Sequence, residues 1–172
     1  PSCSSKGEPT GALYGLAAFL LKITRELNPD YLIAAADLPE PTFRHVAYEK
    51  YKIQRPEIDS DLAGQIVRAY DLLKAFSIPV YEHKGFEADD IIGTIAQKTA
   101  KEKNLAVIIA SGDLDTLQLV EGKRVRVYTL KGGLSDTILY DEEKVKERYG
   151  FVPALLPDFK GLRGDPSDNI VG

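Results

Sequence analysis

The stretch that decides the fold reads Leu105-Ala106-Val107-Ile108-Ile109-Ala110-Ser111-Gly112-Asp113-Leu114-Asp115. Its first part, Leu105 to Ala110, is a short continuous apolar run, the pattern of a strand buried on both faces of a parallel sheet. Ser111-Gly112 turns the chain, and two carboxylates follow at once. In open α/β sheets the functional crevice lies beyond the carboxyl ends of the strands, so Asp113 and Asp115 stand where chemistry is expected.

Working outward, the same grammar recurs. Gly11 to Asn28 has a helical period in Leu13, Leu16, Ala17, Leu20, Leu21 and Leu27, stopped by Pro29. Tyr31 to Ala36 predicts a second buried strand, Asp61 to Phe76 a helix, Pro79 to Tyr81 a short strand and Glu87 to Lys103 a helix. Thr116 to Val120 predicts a short helix. Arg124 to Leu130 and Leu134 to Leu139 predict strands around Lys131-Gly132-Gly133, followed by helices over Asp141 to Tyr149 and Pro153 to Leu162. Strands alternating with helices predict an α/β domain, a mostly parallel sheet flanked by helices. The length, 172 residues, suits one core.

Acidic residues cluster at the ends of these elements. Asp37 follows the strand Tyr31 to Ala36, and Glu87, Asp89 and Asp90 open a helix. Asp113 and Asp115 follow Leu105 to Ala110, while Asp165 and Asp168 lie in the loop Gly164-Asp165-Pro166-Ser167-Asp168-Asn169. Taken singly, each has an ordinary explanation: acids favour a first helical turn, and Asp is a common cap or turn residue. Together, converging carboxylates repel unless a cation offsets them. His45 and His83 lie on separate segments and no zinc spacing occurs, so an all-oxygen set points to Mg²⁺, with Mn²⁺ as a substitute. Two such ions are a recurring device of phosphoryl chemistry: one makes a bound water more acidic, and both stabilise an in-line displacement.

The charge balance, 22 basic against 26 acidic residues, reads as −4 and disfavours a polyanion partner. Setting aside the eight clustered carboxylates reverses it to +4, which permits a polyanion partner without demonstrating one. The loop Leu38 to Ser60 supplies the counterpart. Between Arg44 and Arg55 four Lys or Arg face one acid, Glu49, and Phe43, Tyr48 and Tyr51 are interleaved with Arg44, His45, Lys52 and Arg55. Charge for phosphates and rings for bases is the composition of a single-strand grip. A solvated loop with its rings tucked onto the domain is the plainer alternative.

Other classes are excluded. No run approaches the ~18 apolar residues of a membrane span, and no tract is low-complexity. One cysteine, Cys3, cannot make an internal disulfide, which fits a reducing compartment. The absence of Met and the start at Pro1 predict an excised piece of a longer polypeptide.

The runs Ser5-Lys6-Gly7-Glu8-Pro9-Thr10, Pro41-Thr42-Phe43-Arg44-His45, Tyr51-Lys52 and Phe86-Glu87-Ala88-Asp89-Asp90 occur in that order. They are followed by Ser111-Gly112-Asp113-Leu114-Asp115 with Gln118-Leu119, and by Gly164-Asp165-Pro166-Ser167-Asp168-Asn169-Ile170. This ordered set resembles the 5′-nuclease (flap endonuclease) family, most closely the 5′→3′ exonuclease domains of bacterial DNA polymerase I enzymes. The resemblance implies a PIN-like fold over 1–172 with a basic arch at 38–60, and two Mg²⁺ ions. Asp37, Glu87, Asp89, Asp90, Asp113, Asp115, Asp165 and Asp168 would be their ligands, with Lys52 and Arg55 near the scissile phosphate. It implies action on DNA 5′ flaps and 5′ ends, RNA primers included, in replication and repair, in the bacterial cytoplasm at the nucleoid. A polymerase in the same polypeptide is an expected partner; a membrane is not. The family's first strand, with a further Asp, and its helix-hairpin-helix are missing here. Leu114 stands where Lys is usual, and Val171 where Pro is usual.

Two alternatives stay open at this level. A non-catalytic DNA-binding fragment would keep the arch without turnover. A haloacid-dehalogenase-like phosphatase would use Asp113-Leu114-Asp115 with Asp165 and Asp168. In that case Thr116 comes one place early, Asp168 falls one residue short, and Glu87, Asp89 and Asp90 have no role.

Overall fold

A computed structural model describes residues 9–56, 58–133 and 136–172. The run Ser5 to Glu8, Cys3, and Leu134 at the head of an expected strand lie outside the described residues. In chain order the elements are α1 (Gly11–Leu27), β1 (Ala34–Ala35), α2 (Phe43–Ala47), α3 (Ser60–Ala75), β2 (Val80–Tyr81), α4 (Ala88–Thr99) and β3 (Val107–Ala110). They continue with β4 (Val125–Leu130), β5 (Thr137–Tyr140), α5 (Glu142–Tyr149), α6 (Leu156–Arg163), β6 (Gly164–Asp165) and β7 (Ile170–Val171). Tight 3-10 turns cover Leu114–Leu119, Pro153–Leu155 and Pro166–Asp168.

Where length suggested one core, the chain divides into two compact units, Pro1–Ala36 with Pro56–Tyr81, and Asp37–Arg55 with Glu82–Gly172. In the first, α1 packs on α3, burying Leu20 and Ile23. The start of α1 leaves N–H groups without intrahelical partners; buried Gln65 of α3 accepts from Ala12 N–H at 2.8 Å. β1 and β2 pair in parallel, Ala34 opposite Val80. The expected strand Tyr31 to Ala36 shrinks to two paired residues, and Tyr31 is exposed.

The second unit holds the larger core. β3 pairs in parallel with β4, Val107 opposite Val125, and β5 returns antiparallel, Val127 opposite Tyr140. Ile109, Leu117, Val125, Val127, Val145 and Leu156 meet there with Ala96 of α4 and its C-cap Ala100. Each large side chain so buried contributes roughly 1.5–3 kcal/mol. α4 stops at Thr99, short of the expected Lys103. Its end is met from outside the helix: the Arg124 guanidinium donates to the Ala100 carbonyl at 2.7 Å, satisfying an acceptor that a further turn would have used. The expected helix Pro153 to Leu162 splits into a 3-10 turn and α6, with a proline in the first turn of each, where a missing N–H is tolerated.

Two regions read as irregular contain ordered structure. The loop Leu38 to Ser60 includes α2, and the loop after Gly164 closes a small antiparallel ladder, Asp165 opposite Ile170. Gly164 has φ 76°, and a Cβ there would stand 2.7 Å from the Ile170 carbonyl oxygen. Glycine is the residue that fits, and it aims Asp165.

Candidate functional site

All eight carboxylates singled out from the sequence fall in the second unit. Several have a backbone partner that fixes their place. Asp37 Oδ1 accepts from Ala88 N–H at 2.6 Å, and Glu87 occupies the N-cap of α4, whose dipole favours negative charge. Asp113 caps the turn Leu114–Leu119, its Oδ1 accepting from Asp115 N–H at 2.8 Å. Asp165 Oδ1 accepts from Ser167 N–H at 2.9 Å and from its hydroxyl at 2.5 Å. The plain capping explanation is thus correct for several of them, and it leaves their second oxygens uncommitted to the cap.

These oxygens fall into two groups. Around the start of α4, Asp89 is pushed up to about 6 by partial loss of hydration and then by the charges of Asp113, Asp37 and Glu87, against the pull of Lys52. The charges of three carboxylates from three segments therefore bear on Asp89. On the other side, Lys160 Nζ pairs with Asp115 Oδ1 at 2.8 Å and donates to Asp165 Oδ2 at 3.0 Å. Asp165 is drawn down to about 2, first by the Ser167 hydroxyl and then by Lys160. Burial works against the Lys160 charge, but its two carboxylate partners outweigh it and raise its pKa above the usual lysine value.

Asp90, expected among the ligands, is already engaged. Arg44 holds both its oxygens, at 2.7 and 2.8 Å, and Glu87 N–H donates to it at 2.9 Å. That bidentate bond holds the Asp90 carboxyl below its usual range and the guanidinium above its own. Asp168 meets Arg55 at 2.7 Å and the Tyr51 hydroxyl at 3.2 Å.

The basic segment lies on this acidic surface. Lys52 Nζ donates to both oxygens of Glu87 at 2.9 Å. Its backbone is left-handed, φ 56°, an uncommon state for a side chain-bearing residue. The same residue's N–H donates to the Asp168 carbonyl at 3.1 Å, and Asn169 Nδ2 donates to the Lys50 carbonyl at 2.9 Å. Gln54 also donates to the Pro166 carbonyl.

Of the residues expected to face bases, Phe43 and Tyr48 are exposed. Tyr51 is not: the residue is 7% exposed, and its hydroxyl donates to Glu87 at 3.1 Å as well as to Asp168. Burial first, and then these two carboxylates, raise its pKa. His45 Nδ1 accepts from Thr42 N–H at 3.1 Å and caps α2. Arg44 lies over the Phe43 ring, 4.6 Å from its centroid, while bound to Asp90.

Oxygen-only donors with excess negative charge suit a hard divalent cation. Among the described residues, no three Asp, Glu, His or Cys side chains are gathered around one point. Like charges keep their distance, and Lys52, Arg55 and Lys160 take up several of the oxygens. Lys160 was missed in the sequence, because a lone lysine on a helix carries no signal of its partners.

The family described as 5′-3′ exonuclease, N-terminal resolvase-like domain, matches residues 1–150. DNA polymerase I of Chloroflexus aurantiacus is 44% identical over 171 residues, 98% of this chain and 18% of that protein. The Bacillus caldotenax DNA polymerase I is 41% identical over 169 residues, 98% of this chain and 19% of that one. The chain thus spans under a fifth of the length of these relatives. Among solved structures, bacteriophage T5 D15 flap endonuclease in complex with DNA and metal ions superposes with TM-score 0.75 at 21% identity, covering 95% of this chain and 61% of that one. The T5 5′-exonuclease with bound zinc superposes with TM-score 0.77 at 20% identity, covering 98% and 63%. These likenesses give the fold, an α/β domain of the T5 5′-exonuclease type, and the sequence match gives the family. The chain belongs to the 5′-3′ exonuclease N-terminal resolvase-like domain family, the nuclease domain that bacterial DNA polymerase I carries.

Proposed function

We propose that this chain is the nuclease part of a DNA polymerase I polypeptide, hydrolysing phosphodiester bonds at 5′ flaps and 5′ ends of DNA, RNA primers included. Its expected place is the bacterial cytoplasm, in replication and repair. The observation that carries the reading is the match of residues 1–150 to the exonuclease family, together with the placement of Asp37 and Glu87 at the start of α4, where their charges and that of Asp113 bear on Asp89. That arrangement costs stability unless a cation offsets it.

Asp37, Glu87, Asp89 and Asp113 would hold one ion, and Asp115, Asp165 and Asp168 a second. Two Mg²⁺ ions, or Mn²⁺ in their place, would supply Lewis acidity to the phosphate and lower the pKa of the attacking water. The chain's own residues do the rest. Arg44 fixes Asp90 and with it the first turn of α4, so Asp90 serves as a positioning residue rather than a ligand. Lys52 and Arg55 sit on carboxylates of both groups and place positive charge beside the phosphate to be cut. Phe43 and Tyr48, exposed on the same segment, offer ring faces to unpaired bases.

The test uses the full-length polypeptide and a 5′-labelled flap duplex. Cleavage stopped by EDTA and restored by Mg²⁺ supports the reading, whereas undiminished cleavage in EDTA overturns it. Flap binding with no cleavage under any metal favours the non-catalytic alternative. The phosphatase alternative is set aside, since residues 1–150 match a nuclease family and Asp113 caps the turn bearing Asp115.

A further inference from the structure

We propose that Lys160 is a positioning residue that pre-assembles the Asp115–Asp165 half of the site and must leave it when a divalent ion enters. This rests on the metal reading given above.

Asp115 and Asp165 come from separate elements, the 3-10 turn after β3 and the short strand β6. Lys160 reaches both from a third, α6, at 2.8 and 3.0 Å. An ammonium is a compact charge with three donors, and two of them here are directed at carboxylates of different segments. The other close cations serve a narrower purpose. Lys52 meets Glu87 and Arg55 meets Asp168, one carboxylate each, while Arg44 holds Asp90 and lies within 3.9 Å of Glu87, both at the start of α4.

The placement of Lys160 is anchored by packing. Its neighbour Phe159 lies 5.3 Å from the Phe151 ring and 6.1 Å from that of Tyr149, and Leu156 one turn earlier is buried in the core. α6 packs on both the 3-10 turn and β6. The helix is therefore held, while Lys160 reaches the carboxylates on a flexible four-carbon stem.

Magnesium sits about 2.1 Å from its oxygen ligands. A divalent ion held by Asp115 and Asp165 would need the carboxylate oxygens that Nζ now engages. The two cannot share that oxygen pair, so entry of the ion and departure of the ammonium are one exchange. Removing the ammonium removes a competitor and an opposing charge.

Mn²⁺ uptake by the full-length polypeptide, counted by electron paramagnetic resonance of the free ion, tests this. Lys160→Met keeps the apolar stem and drops the charge. The expected result is a tighter and a weaker class of site in the unsubstituted protein, with Lys160→Met tightening the weaker class ~10-fold and leaving the other within about twofold. Asp165→Asn should abolish the weaker class in both backgrounds.

An unchanged or weakened second class in Lys160→Met overturns the role of Lys160 and leaves the metal reading standing. No Mn²⁺ uptake by the unsubstituted protein overturns the metal reading and the exchange with it. Acetic anhydride footprinting gives a check that needs no variant. Lys160 should be protected without metal and become several-fold more reactive as Mg²⁺ fills the weaker class. Reactivity that ignores Mg²⁺ overturns the exchange.

Discussion

Around the N-terminus of α4, Asp37, Glu87, Asp89 and Asp113 face one ammonium, that of Lys52, and Asp89 is pushed up to about 6. Around β6 and the turn Leu114–Leu119, Asp115 and Asp165 share Lys160, and Asp165 is drawn down to about 2. The same type of side chain, within one compact unit, has one ammonium for four carboxylates in one half and one for two in the other. The difference teaches that net charge within each half, rather than the number of carboxylates, decides where an external cation is wanted. On the metal reading proposed above, the α4 half would gain most from a divalent ion, and the β6 half already contains a cation that an ion would have to displace.

The strongest way to break the comparison is to remove one acid from each half. Asp113→Ala and Asp115→Ala should each lower single-turnover flap cleavage by the full-length polypeptide ~1,000-fold or more, with flap affinity nearly unchanged, since metal assistance is worth several kcal/mol. Wild-type rates in Asp115→Ala alone would make the β6 half dispensable and leave a one-ion site. Next in size, Lys52→Ala and Arg55→Ala should each slow cleavage ~10-fold, about 1.4 kcal/mol. Unchanged rates in both would remove the basic segment from the reaction and confine it to charge balance.

A smaller effect separates the halves without DNA. The Asp89 pKa is raised in the folded state from 3.8 to about 6, so the folded protein holds that proton more tightly than the unfolded chain. Its contribution to stability is present in full below about 4 and is lost as pH rises through about 6. In metal-free protein, Asp89→Asn should raise the melting temperature at pH 7.5, by ~2–4 °C per kcal/mol of repulsion relieved. It should also flatten the dependence between pH 4 and 7. Calorimetry of both proteins checks this, and a lower melting temperature in Asp89→Asn would contradict the crowding.

Asp165 has the opposite sign. Its folded value of about 2 lies below the usual 3.8, so its stabilisation is present above about 4 and is lost as pH falls through about 2. Asp165→Asn should therefore lower the melting temperature at pH 7.5 by a few degrees, ~2–4 °C per kcal/mol. Little slope should change between pH 5 and 8. An increase would mean that Lys160 does not compensate the pair.

Much of this was legible along the chain. The helices over α1, α3 and α5 follow from apolar period and caps. In α5, Asp141 accepts from Lys144 N–H at 3.0 Å, and Gly150 ends the helix at φ 82°. β3 and the acids after it also stood out, because a buried strand followed by a tight turn is a local pattern. The strand Tyr31 to Ala36 was overestimated, since apolar residues there meet a partner only at Ala34 and Ala35. Tyr51 was assigned to bases, as an aromatic among basic residues would suggest. Its burial depends on Glu87 and Asp168, 36 and 117 residues away.

The order of the amino acids alone determined which carboxylates stand at strand ends and helix starts, because caps and turns are settled within a few residues. It also determined the family, through motifs in a set order. Only the tertiary structure decided which cation each carboxylate faces: Arg44 for Asp90, Lys52 for Glu87, Arg55 for Asp168, and Lys160 for both Asp115 and Asp165. Long flexible side chains reach their partners across many residues of chain. Charge pairing at a few ångströms depends on how the elements pack, and no local spacing encodes that.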